Sequence, residues 1–307
     1  MCRLSEWAGK INIAGELRPE EPLAPHTTFR VGGPAELYAR PCSEADLRAL
    51  ILFALRHQVS WFVLGGGSNL LVSDLGVRGL VIDTSELRHR SIAGTTLTVG
   101  AGLPVSDASA FAAEHGLGGL DFIYSMPGSV GGAVWMNARC YDGEIYDVLR
   151  LVRLVDPDGT VVEYTPRPED FGYKRSPFMD RPGVMTSVSF TLQRARPDDL
   201  WPRMRAHEAD RRAKGHFSAP CAGSVFKNNR AFGRPSGAII DSLGLRGFQI
   251  GGARVSDLHA NIIVNTGNAT ASDIRAVIEH VGGEVQRRLG YELEREVLYV
   301  GRWPHDE

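Results

Sequence analysis

The run Trp61-Phe62-Val63-Leu64-Gly65-Gly66-Gly67-Ser68-Asn69-Leu70-Leu71-Val72 passes from strand-forming residues through three consecutive glycines and back into strand-forming residues. A dinucleotide loop of the doubly wound kind needs glycines spaced as G-x-G-x-x-G, with a helix directly behind them. Here Leu70 stands at the third glycine position, and the sequence behind it, through Gly79 to Asp83 (GLVID), is β-type. The order strand, loop, strand argues against a Rossmann reading. The loop still suits a diphosphate, because successive N–H groups in a glycine turn form a concave anion site and Ser68 and Asn69 add side-chain donors. Taken alone, it serves equally well as an ordinary connection between strands.

A second donor-rich stretch, Met126-Pro127-Gly128-Ser129-Val130-Gly131-Gly132-Ala133, lies between Asp121 and Asn137. Two such loops can hold the two ends of one extended dinucleotide. Glycine, which lets backbone approach a ligand closely, also pairs at 32–33 and 251–252. Around these loops, Ser43 reads as the N-cap of a helix carrying Leu47, Leu50, Ile51 and Ala54 at helical spacing. A further helix is expected over Pro104–His115, and Gly116–Asn137 reads as one long loop. A hairpin turns at Pro157-Asp158-Gly159, and Val184–Leu192 alternates like a half-buried strand. The polar, proline-bearing Gln193–Asp199 marks the main boundary. Beyond it come a charged helix over Asp199–Lys214, a glycine-broken middle, a helix over Ala271–Leu289 and a terminal strand, YELEREVLYVG. Thr270 and Asp273 cap the 271–289 helix, and Ile274, Val277, Ile278, Val281 and Val285 keep the 3.6 period along it. Three parts result: 1–84, 85–197 and 198–307.

Composition excludes several classes of function. Over 307 residues, 34 Lys plus Arg stand against 36 Asp plus Glu, so neither nucleic acid nor an anionic membrane meets a strong field. No run reaches the roughly 18 apolar residues of a membrane span, and the start lacks the pattern of a secretory signal. A cytoplasmic protein is expected. Cys2, Cys42, Cys140 and Cys221 are scattered without a C-x-x-C pair, which reads as free thiols and not as a disulfide framework or a metal site.

His26–Glu36 (HTTFRVGGPAE), Val63–Val72, Gly100–Pro104 and Pro127–Ala138 resemble, in order and spacing, the FAD-contacting runs of the UDP-N-acetylenolpyruvoylglucosamine reductases. Ala222–Asn228 (AGSVFKN), Gly237–Asn265, Ala269–Ile274 and Leu293–Gly301 continue the resemblance to the C-terminus. It implies an α+β chain: a two-lobed FAD-binding domain of the vanillyl-alcohol-oxidase-like type (1–84 and 85–197), followed by a C-terminal α+β substrate-binding domain (198–307). FAD would lie between the first two lobes, held by Arg30, Gly32, Gly65, Gly66, Gly67, Ser68, Asn69, Leu70, Gly100, Ala101, Pro127, Gly128, Ser129, Gly131, Gly132 and Asn137. NADPH would be the reductant, UDP-N-acetylglucosamine enolpyruvate the substrate and UDP-N-acetylmuramate, a peptidoglycan precursor, the product.

The implied chemistry adds hydride to the vinyl carbon distant from the carboxylate, so negative charge develops on the neighbouring carbon and spreads into the carboxylate. Such a site needs a proton donor and an electrophilic clamp. The resemblance assigns the proton to Ser224 and the clamp to Glu296, with a cation after a tyrosine for the carboxylate. Here that cation is Lys174 in Tyr173-Lys174-Arg175-Ser176, where the family usually has Arg. Lysine supplies charge without the bidentate fork, and Arg175 would point elsewhere in an extended segment. Tyr173, Lys227, Asn228 and His259 are further candidates for gripping the uridine diphosphate sugar. Read without the resemblance, Ser224 is a turn former and Glu296 shares a solvated polar face with Glu292 and Glu294. The FAD-binding fold by itself would equally serve a sugar or alcohol oxidase. Too little sequence separates Lys174 from the last domain to hold an extra tyrosine-bearing loop, so the chain resembles the shorter subtype.

Overall fold

Ser43 accepts a hydrogen bond from Asp46 N and opens the helix Glu44–His57, which Gln58 closes in the left-handed conformation. Its Leu47, Leu50, Ile51 and Ala54 are fully or almost fully buried and pack with Leu37, Ala39, Leu80 and Ile82. The latter four come from a sheet ordered Glu16–Pro22, Pro34–Arg40, Val77–Asp83, Trp61–Leu64. Its last two strands run parallel, with Trp61 opposite Leu80 and Leu64 opposite Asp83. The computed structural model describes residues 4–7, 9 and 11–304. Two compact units result: one from the chain up to Glu20, Glu36–Gly66 and Gly79–Ala209, the other from Glu21–Ala35, Gly67–Arg78 and Asp210 onward.

The first unit has a second, antiparallel sheet ordered Val161–Tyr164, Leu149–Val155, Val184–Thr191, Thr96–Gly100, Arg90–Ala93. The hairpin between Leu149–Val155 and Val161–Tyr164 turns at Gly159, whose φ is +81°. The helices Val105–Glu114 and Val130–Met136 share one buried cluster with this sheet. The second of these helices corrects the reading of Gly116–Asn137 as a continuous loop. Ser129 caps it by accepting from Gly132 N, and Val130, Ala133, Val134 and Met136 are buried. Gly131 and Gly132, poor helix formers within its first turn, conceal it from a propensity argument.

In the second unit, the helix Ala271–Leu289 has a complete capping box between Thr270 and Asp273, and its apolar stripe is buried as the periodicity requires. It packs on an antiparallel sheet of Gln249–Ile250, Ala253–Val255 and Ile263–Asn265. Asp74 accepts from Ala271 N and Ser272 N at its first turn, favourable charge placement at a helix start. Phe29, Val31 and Leu71, from N-terminal stretches, enter the same core as Val225, Ile239, Ile262 and Ile274. The C-terminal strand is shorter than its sequence suggests. Only Leu298–Val300 is regular, pairing in parallel with Leu70–Val72, while 291–297 contributes a single bridge, Arg295 opposite Phe226.

Cys42, Cys140 and Cys221 are free thiols, and Cys2 lies outside the described residues. Among the described residues no helix is long and apolar enough to cross a membrane.

Candidate active site

Within the first unit the two glycine loops meet backbone to backbone. A Cβ on Gly66 would stand 2.6 Å from Gly128 Cα, and one on Gly65 would stand 2.5 Å from Ser129 Oγ. The Gly100–Pro104 run lines the same junction: Gly131 N donates to Ala101 O (2.7 Å), Val130 N to Leu103 O (2.8 Å) and Val105 N to Gly128 O (3.0 Å). Gly100 N and Ala101 N are likewise engaged, by His89 O and Thr186 O. These amides build the walls of the junction. Gly66, Pro127 and Gly132 remain exposed on its surface. Close backbone contact beside exposed Gly66, Pro127 and Gly132 fits an extended cofactor with a diphosphate, such as FAD, which peptide N–H groups and small hydroxyls can line. Gly66→Ala is therefore expected to drive the two loops apart and abolish flavin retention. Gel filtration with the 450 nm absorbance recorded checks this, and a variant that still co-elutes with stoichiometric flavin would contradict it.

The Tyr173-Lys174 pair sits at the tip of a tight turn, closed by Gly172 N donating to Arg175 O (3.0 Å) and Arg175 N to Gly172 O (3.1 Å). Lys174 is left-handed, with φ +55°. The segment is thus not extended, which changes the geometry expected for its two cations. Arg175, exposed, pairs with Asp180 at 3.2 Å, whereas Lys174 is half-buried. The turn is anchored from below. Asn137, 0% exposed, donates through Nδ2 to Gly172 O (3.0 Å) and accepts from Tyr146 N (3.0 Å), and Ser176 Oγ donates to Trp135 O (2.6 Å). Asn137 also occupies a left-handed position, with φ +45°. Asn137→Ala leaves Tyr146 N without this acceptor, removes one of the two donors to Gly172 O and puts alanine in a conformation it disfavours, so a loss of about 2–4 kcal/mol is expected. Denaturant unfolding measures it, and an unchanged midpoint and slope would refute the anchoring role.

The second unit holds the remaining candidates. Gly67, with φ +60°, lies against the His26 carbonyl, and Thr28 N donates to Gly67 O (3.2 Å). The His26–Gly33 run thereby packs on the end of the glycine loop. Arg30 is exposed on that run with φ +56°, and Gly32 lies against Val72. Ser68 is half-buried, and Leu70 opens the strand paired with Leu298.

Ser224, half-buried, bridges to Ile262, and the next residues are clamped by an asparagine for which the sequence reading had no role. Asn261, 3% exposed, accepts from Phe226 N (3.0 Å), donates through Nδ2 to Phe226 O (2.8 Å), and receives Val225 N on its own carbonyl (2.9 Å). Its polarity in the apolar run Ala260–Val264 was the available signal. His259 supports Asn261: its Nδ1 accepts from Asn261 N at 3.2 Å, and burial lowers its pKa from the ordinary value, in keeping with a neutral acceptor. Across from Ser224, Glu296 N donates to Val225 O at 2.8 Å. Glu296 is half-buried while Glu292 and Glu294 are exposed, so the three do not share one solvated face. Lys227 Nζ pairs with Glu294 at 2.6 Å, and Asn228 Oδ1 accepts from Ser236 N at 2.9 Å.

The chain is a flavoprotein: residues 35–165, which contain the glycine junction, match the family model described as an FAD binding domain. Residues 215–300 match the model described as the C-terminal domain of UDP-N-acetylenolpyruvoylglucosamine reductase. The reductase of that name from Treponema denticola is 40% identical, over 94% of this chain and 95% of that protein. The Halalkalibacterium halodurans reductase is 38% identical over 94% and 95% respectively. The crystal structure of the reductase from Thermus caldophilus superposes with a TM-score of 0.79 at 33% identity, covering 95% of this chain and all of that one. The chain belongs to the UDP-N-acetylenolpyruvoylglucosamine reductase family.

Proposed function

We propose that this chain reduces UDP-N-acetylglucosamine enolpyruvate to UDP-N-acetylmuramate for peptidoglycan synthesis, with FAD and NADPH as cofactors and Ser224, Glu296 and Lys174 as its working residues. When bound, FAD relays hydride from NADPH to the vinyl carbon distant from the substrate carboxylate. The rest falls to side chains. Negative charge develops on the carbon bearing the carboxylate; the Ser224 hydroxyl gives that carbon its proton and recovers one from water. Substrate gains one hydride and one proton, and NADPH leaves as NADP⁺. Glu296 hydrogen-bonds the carboxylate as charge enters it, and Lys174 compensates that charge, with Arg175 held to Asp180. Tyr173, Lys227, Asn228 and His259 are assigned to the uridine diphosphate sugar, His259 also through its support of Asn261.

The observation that carries these roles is the shared hydrogen bond. Val225, adjacent to Ser224, receives Glu296 N on its carbonyl, so one backbone contact fixes the proton donor relative to the clamp. A nucleotide sugar and NADPH are cytoplasmic metabolites, and the same reading places the enzyme in the cytoplasm. The test is anaerobic: reduce the flavin with NADPH, remove the nicotinamide, then add the enolpyruvyl sugar. Return of the oxidised spectrum with one lactyl product per flavin is expected. Reduced flavin that ignores this substrate but is rapidly reoxidised by oxygen would overturn the reading in favour of an oxidase.

A further inference from the structure

Asn69 lies in the glycine loop, and the resemblance sets it against the cofactor, yet its side-chain amide is directed to the segment that carries the clamp. Nδ2 donates to the backbone carbonyl of Glu296 at 2.9 Å, and the Asn69 carbonyl accepts from Leu298 N at 3.0 Å. From the other side, Glu296 N donates to Val225 O at 2.8 Å. Both backbone polar groups of Glu296 are therefore held, one by the neighbour of Ser224 and one by Asn69. The regular ladder with Leu70–Val72 begins only at Leu298. At Glu296 the Asn69 side chain supplies the bond that a strand partner would otherwise make.

We infer that Asn69 is a positioning residue for Glu296. The inference rests on the role proposed above for that carboxyl. A glutamate side chain reaches a developing charge accurately only if the peptide it hangs from is fixed, and an error near 1 Å in placing a reacting group costs up to about 10²-fold in rate. Alanine at 69 would leave the Glu296 carbonyl without this partner. Aspartate would keep the size of the side chain and set an oxygen against the carbonyl where a donor belongs.

The experiment uses holoenzyme of wild type, Asn69→Ala, Asn69→Asp, Glu296→Ala and the Asn69→Ala/Glu296→Ala double variant. It records flavin retention, flavin reduction by NADPH, reoxidation by the enolpyruvyl sugar, and amide hydrogen exchange over 295–298. Per bound flavin, both Asn69 variants should reoxidise about 10- to 100-fold more slowly, whatever each loses in flavin retention, and should exchange faster at Glu296–Leu298. Against a Glu296→Ala background, Asn69→Ala should then add less than about twofold, because it acts through that residue. Multiplying effects in the double variant, or loss of flavin with unchanged reoxidation per bound flavin, would overturn the inference and return Asn69 to the cofactor. A wild type whose reduced flavin ignores the substrate defeats the proposed function instead, and exchange over 295–298 then decides the positioning claim. An Asn69→Ala variant that fails to fold leaves Asn69→Asp to decide it by the same measurements.

Discussion

Ser224→Ala is expected to slow reoxidation of the reduced flavin by the enolpyruvyl sugar by about 10²- to 10⁴-fold, the usual contribution of a positioned general acid. Flavin reduction by NADPH should change by less than about twofold, because a side chain that acts only in the transition state of one half-reaction is silent in the other. The structure makes this a clean substitution. Ser224 is held through its backbone bridge to Ile262, and the turn behind it is set by Asn261 on Phe226 and Val225. None of these bonds uses the Ser224 hydroxyl, so alanine should keep the fold and substrate affinity. A slow reoxidation that also loses its solvent isotope effect would show that protonation no longer passes through the serine. Unchanged reoxidation would place the donor elsewhere.

How far the sequence announced this arrangement depends on how local each feature is. The helix Ala271–Leu289 was legible to the residue, because its capping box and apolar stripe lie within the element itself. The start and buried face of the helix behind Ser43 were legible too, though not where it ends. The helix Val130–Met136 was not, since tertiary burial of Val130, Val134 and Met136 outweighs the two glycines that spoil its local signal. The stretch 291–297 reads as strand by alternation, but only a single bridge waits for it beside Phe226. The second unit is assembled from three separate stretches of chain, and hydrophobic patterning cannot report that Phe29, Val31 and Leu71 join a core built mainly of residues beyond 210. The same limit applies in the site. Candidate residues could be named from motifs, but the Asn137 anchor and the Asn261 clamp behind Ser224 are contacts between residues far apart in sequence, and the turn at Lys174, though local, puts a lysine where glycine is the usual signal of a left-handed position.

Glu296→Ala should lower the same reoxidation rate by about 10²- to 10³-fold, the scale of removing one preorganised donor from a developing anion, whereas Glu296→Gln should lose far less. The two variants separate hydrogen bonding from proton chemistry. Glutamine keeps the length of the side chain and can still donate to the substrate carboxylate, but it cannot exchange a proton; alanine removes the contact altogether. Near-wild-type activity in Glu296→Gln would therefore exclude a proton-transfer role and leave the clamp intact. Equal, severe losses in both variants would point to the carboxyl itself, and activity in Glu296→Ala would remove the residue from the mechanism. Combining Glu296→Ala with Ser224→Ala provides a further constraint. Both side chains serve the charge at one carbon and its carboxylate, and their backbones are joined through Val225, so their losses should combine to much less than the product of the two. Full multiplication would mean that the two residues act in separate steps, and the shared hydrogen bond would then be a matter of folding alone.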